Sequence, residues 1–235
     1  FSLIHFNSSV LIHKGMSHSH IKSKVYDDIL YRDIAVRHDI KEVKSLRELS
    51  LYLISNFSTL FSYNSLKKFL NLGSANTVKS YLEYLENSFI FFIVNLYSLS
   101  LKKQFVSPKK VYCIDNGLAN VISFKFSKNK GKFLENMVFL DLIRKKKNIY
   151  YYKTKNNLEV DFLIKKGLKI TEIIQVCWSL ADGDTREREI KSLTVAMDDL
   201  RISKSLILTD NDEEIIKINK KTIIVKPVYK WLLEN

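Results

Sequence analysis

Apolar residues recur at helical or strand spacing in separate stretches, and these stretches divide the chain. Residues 1 to about 22 have no period and read as a loose tail or loop. Between 23 and 40, Asp27, Leu30, Ile34 and Arg37 recur at helical spacing, predicting one or two short helices. Residues 45–105 predict three helices and a hairpin. The first helix starts near Ser45, with Glu48 three residues on as a capping box, and carries Leu46, Leu49, Leu53 and Ile54 on its apolar face. The second covers about 64–70. Gly73 then turns the chain, Ser74 caps the third helix, and Val78, Tyr81, Leu82 and Leu85 form its buried stripe. The β-branched and aromatic run 89–96 reads as a strand, with a second strand at about 97–106.

The second half has a different rhythm. Residues 111–115 read as a strand followed by a turn at Asn116 and Gly117. From about 131, Phe133, Met137, Leu140 and Ile143 form one face of a helix. Strands follow at about 149–153, 158–165 and 169–178, with turns at Asn156-Asn157 and Lys166-Gly167. A helix at 185–199, strands at 205–209 and 222–225, and a last helix opened by Pro227 complete the pattern. The fold class is therefore α/β: a helical segment followed by a mixed sheet. The order helix, helix, turn, helix, hairpin is that of a winged helix, and the segments divide at 1–40, 41–107 and 108–235.

Composition adds a partner class. The chain of 235 residues has 38 Lys and Arg against 25 Asp and Glu, a net charge of +13. Such an excess points to a polyanion, most simply nucleic acid, although lysine-rich surfaces also occur without one. The longest apolar run, 89–94, is far too short to span a membrane, so a cytoplasmic protein is expected. Cys113 and Cys177 have no CxxC spacing, which argues against structural zinc. His5, His13, His18 and His20 lack acidic partners at ligand spacing. The chain starts at Phe1 rather than Met, so it is expected to begin inside a longer protein or after processing.

Two constellations carry candidate chemistry. If the third helix reads DNA, its first residues face the groove. These are Ser74, Asn76, Thr77, Lys79 and Ser80, with Lys67, Lys68, Lys102 and Lys103 as basic flanks and Glu83 and Glu86 opposing phosphate. The second constellation lies in 131–178. Glu159 and Asp161 alternate on one strand, opposite Val160, Phe162 and Ile164; Gln175 and Cys177 share a face on the next; Glu135 stands on the preceding helix. Paired carboxylates on adjacent strands, with a lysine to offset charge, are what a metal-dependent nuclease needs to hold Mg²⁺ against a phosphodiester.

These residues resemble the PD-(D/E)xK nuclease superfamily. More closely, residues about 25–235 resemble domain of unknown function 4143, which sits behind the ATP-binding domain of archaeal and bacterial AAA-type ATPases. The matching motifs run in order: Asp28 to Ile34, Ser107 to Tyr112, Asp115-Asn116-Gly117-Leu118, Gly131 to Asn136, Glu159 to Phe162, and Arg186 to Glu189. The resemblance implies a restriction-endonuclease-like second domain, an upstream ATPase domain as partner, and ATP bound only there, since this chain has no G-x-x-x-x-G-K-[ST]. Arg32 and Asp33 would lie just after that ATPase domain. The resemblance also implies a site at Glu135, Asp161 and Gln175, with Mg²⁺ held weakly, if at all, by Asp161 and Glu135.

The sequence departs from the active pattern, which wants Glu and Lys at 175 and 177. Gln175 lacks a charge, and a Cys177 thiol, with an ordinary pKa of ~8.5, replaces no ammonium. Lys153 or Lys155 is the expected substitute cation. Three functions follow: nucleic-acid binding, favoured with DNA as the ligand; Mg²⁺-dependent cleavage; and protein interaction or homo-oligomerisation without nucleic acid.

Overall fold

The computed structural model describes residues 17–123 and 130–234, apart from the side chain of His18. Ser17 caps helix α1 (His18–Asp28), which runs into a π-helical segment, Ile29–Val36. Helix thus begins inside the stretch expected to be a loose tail. His5 and His13 lie outside the described residues.

The first half continues as α2 (Val43–Ser55), β1 (Thr59–Phe61), α3 (Tyr63–Phe69), α4 (Ala75–Asn87), β2 (Phe91–Val94), α5 (Leu101–Val106), β3 (Lys109–Cys113) and α6 (Asn116–Ile122). Local chemistry sets several ends. The Ser74 hydroxyl accepts the Asn76 N–H, and Val78, Tyr81, Leu82 and Leu85 are buried, as the sequence predicted. Three expectations fail. The first helix is capped by Glu42 without a side-chain bond, and Ser45 is buried within it, so there is no Ser45–Glu48 capping box. Phe89 takes φ 61° just past α4, so the strand starts two residues later, at Phe91. At 101–106 there is a helix where a strand was expected, because the Ser100 hydroxyl caps it by accepting the Lys103 N–H.

With that helix in place, β2 finds its partner further on. The first sheet is β1-β3-β2, all antiparallel, with Lys109–Cys113 at its centre. The sheet therefore crosses the division expected at 107/108. Asn116 and Gly117 form no turn; Asp115 caps α6 by accepting the Leu118 N–H.

The second half comprises α7 (Lys130–Arg144), β4 (Asn148–Lys153), β5 (Glu159–Lys166), β6 (Lys169–Val176), α8 (Gly183–Leu200), β7 (Lys204–Thr209), β8 (Glu214–Ile218), β9 (Lys221–Pro227) and α9 (Val228–Leu233). Its mixed sheet runs β4-β5-β6-β7-β9-β8, with β6-β7 and β7-β9 parallel and the other pairs antiparallel. Asn157 and Gly167, at φ 59° and 62°, supply the left-handed residues of the two hairpins. Helices α7 and α9 cover one face and α8 the other. The buried face of α7 is Leu134, Val138, Phe139 and Leu142, while Met137 and Ile143 are exposed. The stripe is thus displaced from the expected one, because α7 is wedged between two sheets and also buries Glu135 and Asn136.

The halves are continuous. Tyr112 of β3 stacks on Phe139 of α7 at 4.1 Å, a geometry worth about 0.5–1.5 kcal/mol beyond area burial. The chain after β2 joins the edge of the large sheet: Tyr97 N–H donates to Tyr151 O at 2.8 Å and Tyr151 N–H to Asn95 O at 3.1 Å. Among the described residues, no helix is long and apolar enough to cross a membrane.

Candidate functional site: a lysine among three carboxylates

Consecutive residues of α7 serve two structures. The Asn136 amide accepts the Cys113 N–H and donates to its carbonyl, both at 2.9 Å, so it pairs with β3 as a neighbouring strand would. It also donates to the Asn116 side chain, which donates to Phe133 O. Beside this knot Lys22 pairs with Asp115 at 2.8 Å, and a Cβ on Gly117 would lie 2.0 Å from Lys22 Nζ. The Asp-Asn-Gly-Leu motif thus joins α1, β3, α6 and α7.

Glu135 points into the cleft. A register shift between Tyr150 and Tyr152 gives β5 an extra residue near Asp161, so Val160 packs under α8 while Phe162 and Ile164 pack under α7. The expected common face of these three residues is broken there. Lys110 on β3 meets all three acids of the region: its Nζ lies 2.7 Å from Asp161 Oδ1 and 2.9 Å from both Glu135 Oε1 and Glu159 Oε1. Tyr112, two residues along the same strand, donates to Glu135 Oε1 at 2.8 Å. Asp161 Oδ2 accepts the Val176 N–H at 2.9 Å. Gln175 Oε1 accepts the Asp161 N–H at 3.2 Å, and Gln175 Nε2 donates to Glu189 Oε2 at 2.7 Å. Glu189 is held in turn by Arg188.

Burial and neighbouring charge set the protonation states. Burial alone would lower the Lys110 ammonium; Asp161, Glu135 and Glu159 outweigh it and hold it well above its usual value. Burial, reinforced by Asp161, pushes Glu135 up to about 8 against the pull of Lys110 and Tyr112. Burial also raises Glu189 and pushes Cys177 up to about 12, so Cys177 is a neutral thiol.

Glu135, Asp161 and Gln175 therefore meet in one cluster. The cation in it is Lys110, not Lys153 or Lys155. The sequence reading missed Lys110, Tyr112 and Glu189. The available signal for the first two was a Lys-x-Tyr alternation placing both side chains on one strand face.

The residues as arranged do not form a Mg²⁺ site at Asp161 and Glu135. Mg²⁺ needs near-octahedral oxygens at about 2.0–2.1 Å and keeps several waters. Here the point shared by the carboxylates is taken by an ammonium whose side chain is 2 % exposed. Among the described residues, no group of three His, Cys, Asp or Glu could hold a metal ion. Glu172 faces elsewhere and pairs with Lys147 at 3.2 Å. Arg186 is engaged with Glu214, its Nη2 donating to Oε2 at 2.9 Å.

The other candidate residues lie on the helices of the first half. Ser74, Asn76, Lys79 and Lys68 are exposed and Lys67 is half-buried. Lys79 lies 5.4 Å from the centre of the Tyr63 ring, at the edge of a cleft of about 430 Å³ that Phe105 and Lys109 also line. Lys102 and Lys103 are exposed on α5. Glu86, expected to oppose phosphate from the surface, is half-buried and accepts the Ile93 N–H at 3.2 Å.

Fold and cluster together define a two-part α/β protein whose halves are joined by a buried lysine–carboxylate cluster. The chain belongs to the family described as Domain of unknown function (DUF8612), whose model matches residues 10–129, just over half of the chain. Domain of unknown function (DUF4143) matches 130–231, so the expected extent of about 25–235 shrinks to the second half. The chain is 39% identical over 227 residues to the uncharacterized protein MJ1544 of Methanocaldococcus jannaschii, covering 91% of this chain and 50% of that protein. It is 28% identical over 218 residues to an uncharacterized protein of Haemophilus influenzae, covering 91% and 52%. The chain thus spans about half the length of these relatives. A solved assembly of Thermococcus gammatolerans McrB AAA+ hexamers with bound McrC overlaps 77% of this chain and 46% of that one. Its TM-score of 0.33 at 10% identity is too loose to define a shared fold.

Proposed function

We propose that this chain is the accessory region of a AAA-type ATPase, that its first half is a winged helix binding DNA, and that its second half is a nuclease-like domain that does not cleave. The observation that carries this reading is the exposed Ser74, Asn76, Lys79 and Lys68 on α3 and α4. They sit within the order α2-β1-α3-α4-β2-α5-β3 and the sheet order β1-β3-β2. In a winged helix α4 is the recognition helix and the β2–β3 connection, here with Lys102 and Lys103 on α5, is the wing. The net charge of +13 favours a polyanion. The proposed division is 41–107 for the winged helix, completed by β3, and the remainder of 108–235 for the nuclease-like part. The ATPase assignment rests on the DUF4143 match and on relatives about twice as long as this chain; ATP would bind in the part outside it.

A titration of labelled duplex DNA followed by fluorescence anisotropy tests the reading. Binding at low salt, with log K falling linearly against log salt, is expected. No binding at low salt contradicts it and favours the second reading, a protein-interaction or self-association module. The exposed Leu99, Leu101, Phe105 and Val106 around α5 support that alternative.

A further inference from the structure

A nuclease-like cleft gathers carboxylates to hold a divalent cation, whereas this one gathers them around an ammonium. Glu135 comes from α7, Glu159 and Asp161 from β5, and Lys110 reaches them from β3 of the other sheet. An ammonium has three N–H donors, and Lys110 faces one oxygen of each of three acids at 2.7–2.9 Å. Tyr112 donates to the same Glu135 oxygen, the Val176 N–H donates to the other oxygen of Asp161, and Gln175 Oε1 accepts the Asp161 N–H. The fit is that of a finished structure.

We infer that the Lys110 ammonium is the resident cation of this cleft, standing where a divalent ion would otherwise sit, and that it clasps β3 to α7 and β5. The inference rests on the nuclease-like reading of the second half. It accounts for two departures at once. Without a metal to bind, position 175 has no need of a charge, and Gln175 ties Asp161 to Glu189 instead. Without a reacting phosphate, position 177 needs no ammonium, and Cys177 packs in the apolar cluster under α8. It also gives the Lys109-Lys110-Val111-Tyr112 stretch a role: Lys110 and Tyr112 both end on Glu135.

Removing the ammonium should turn the clasp into a metal site. Lys110→Ala would leave Glu135, Glu159 and Asp161 around a vacated volume on which their side chains can close, and carboxylate with water suits Mn²⁺. The test compares wild type with Lys110→Ala by the electron paramagnetic resonance signal of free Mn²⁺ and by thermal melting with and without Mn²⁺. For the wild type, an unchanged signal and an unmoved midpoint are expected. Lys110→Ala should melt lower without metal, deplete free Mn²⁺, and recover its midpoint as Mn²⁺ is added; a further Asp161→Asn should cancel that recovery. Should Lys110→Ala be unfolded in metal-free buffer, Mn²⁺ should refold it and EDTA reverse the effect.

Three results overturn the inference: Mn²⁺ binding by the wild type that Asp161→Asn abolishes, a folded Lys110→Ala blind to Mn²⁺, or a Lys110→Ala that stays unfolded in Mn²⁺. None of these bears on DNA binding by α3 and α4. Equally, a chain that fails to bind DNA leaves the clasp standing.

Discussion

Gln175 and Glu189 share a 2.7 Å hydrogen bond in which the amide nitrogen donates and the carboxylate accepts. Gln175 stands on β6 and Glu189 on α8, and the other end of the same amide accepts the Asp161 N–H from β5. An amide can serve both neighbours because it carries a donor and an acceptor; an ionised carboxylate only accepts. Glutamine therefore suits this position better than the glutamate of the active nuclease pattern. Gln175→Glu is expected to destabilise the fold by about 1–3 kcal/mol, the cost of a buried polar group without its partner. Chemical denaturation measures it, and the loss should grow with pH as the two acids ionise. A neutral or stabilising effect would contradict this role.

Glu135 makes stability depend on pH. Its pKa in the folded chain is about 8, against 4.5 when unperturbed. Between these values the folded chain holds a proton that the unfolded chain has released, so this contribution is complete below about 4.5 and is lost as pH rises towards 8. Glu135→Gln keeps the shape and removes the titration. The stability of wild type relative to Glu135→Gln should fall across that window, as read from denaturation midpoints at a series of pH values. A flat difference would place the proton elsewhere.

The lysines of the first half should act through charge. Each phosphate neutralised by a lysine adds about 0.9 to the slope of log K against log salt. Changing Lys67, Lys68 and Lys79 to Glu should weaken binding to all duplex sequences alike and flatten the slope by about 1 for each of these lysines that touches a phosphate. Unchanged affinity would move the DNA to another surface, with Lys102 and Lys103 on α5 next to be tested.

Much of the fold was legible because its signals are local. Ser74 caps α4, Gly167 turns the β5–β6 hairpin, and apolar spacing marks most of the long helices and strands. Elements whose identity depends on distant partners were not. β1 has three residues and exists only because β3 pairs with it. α5 buries no residue, so it has no apolar period to read. β8 carries alternating partly buried and exposed residues in a charged stretch that reads as loop. The site was half legible for the same reason. Glu159 and Asp161 announce themselves by alternation along one strand. Lys110 lies 51 residues from Asp161, and only the packing of one sheet against another brings it there.

The claim that this chain binds DNA without cutting it is tested most directly by incubating wild-type protein with linear and branched DNA in Mg²⁺ or Mn²⁺, under conditions where anisotropy shows the DNA bound. The expected result is bound, intact DNA at every time point, with Asp161→Ala indistinguishable from wild type in this assay. Metal-dependent cleavage by the wild type that Asp161→Ala abolishes would contradict the account, since it would require a working metal site where Lys110 sits.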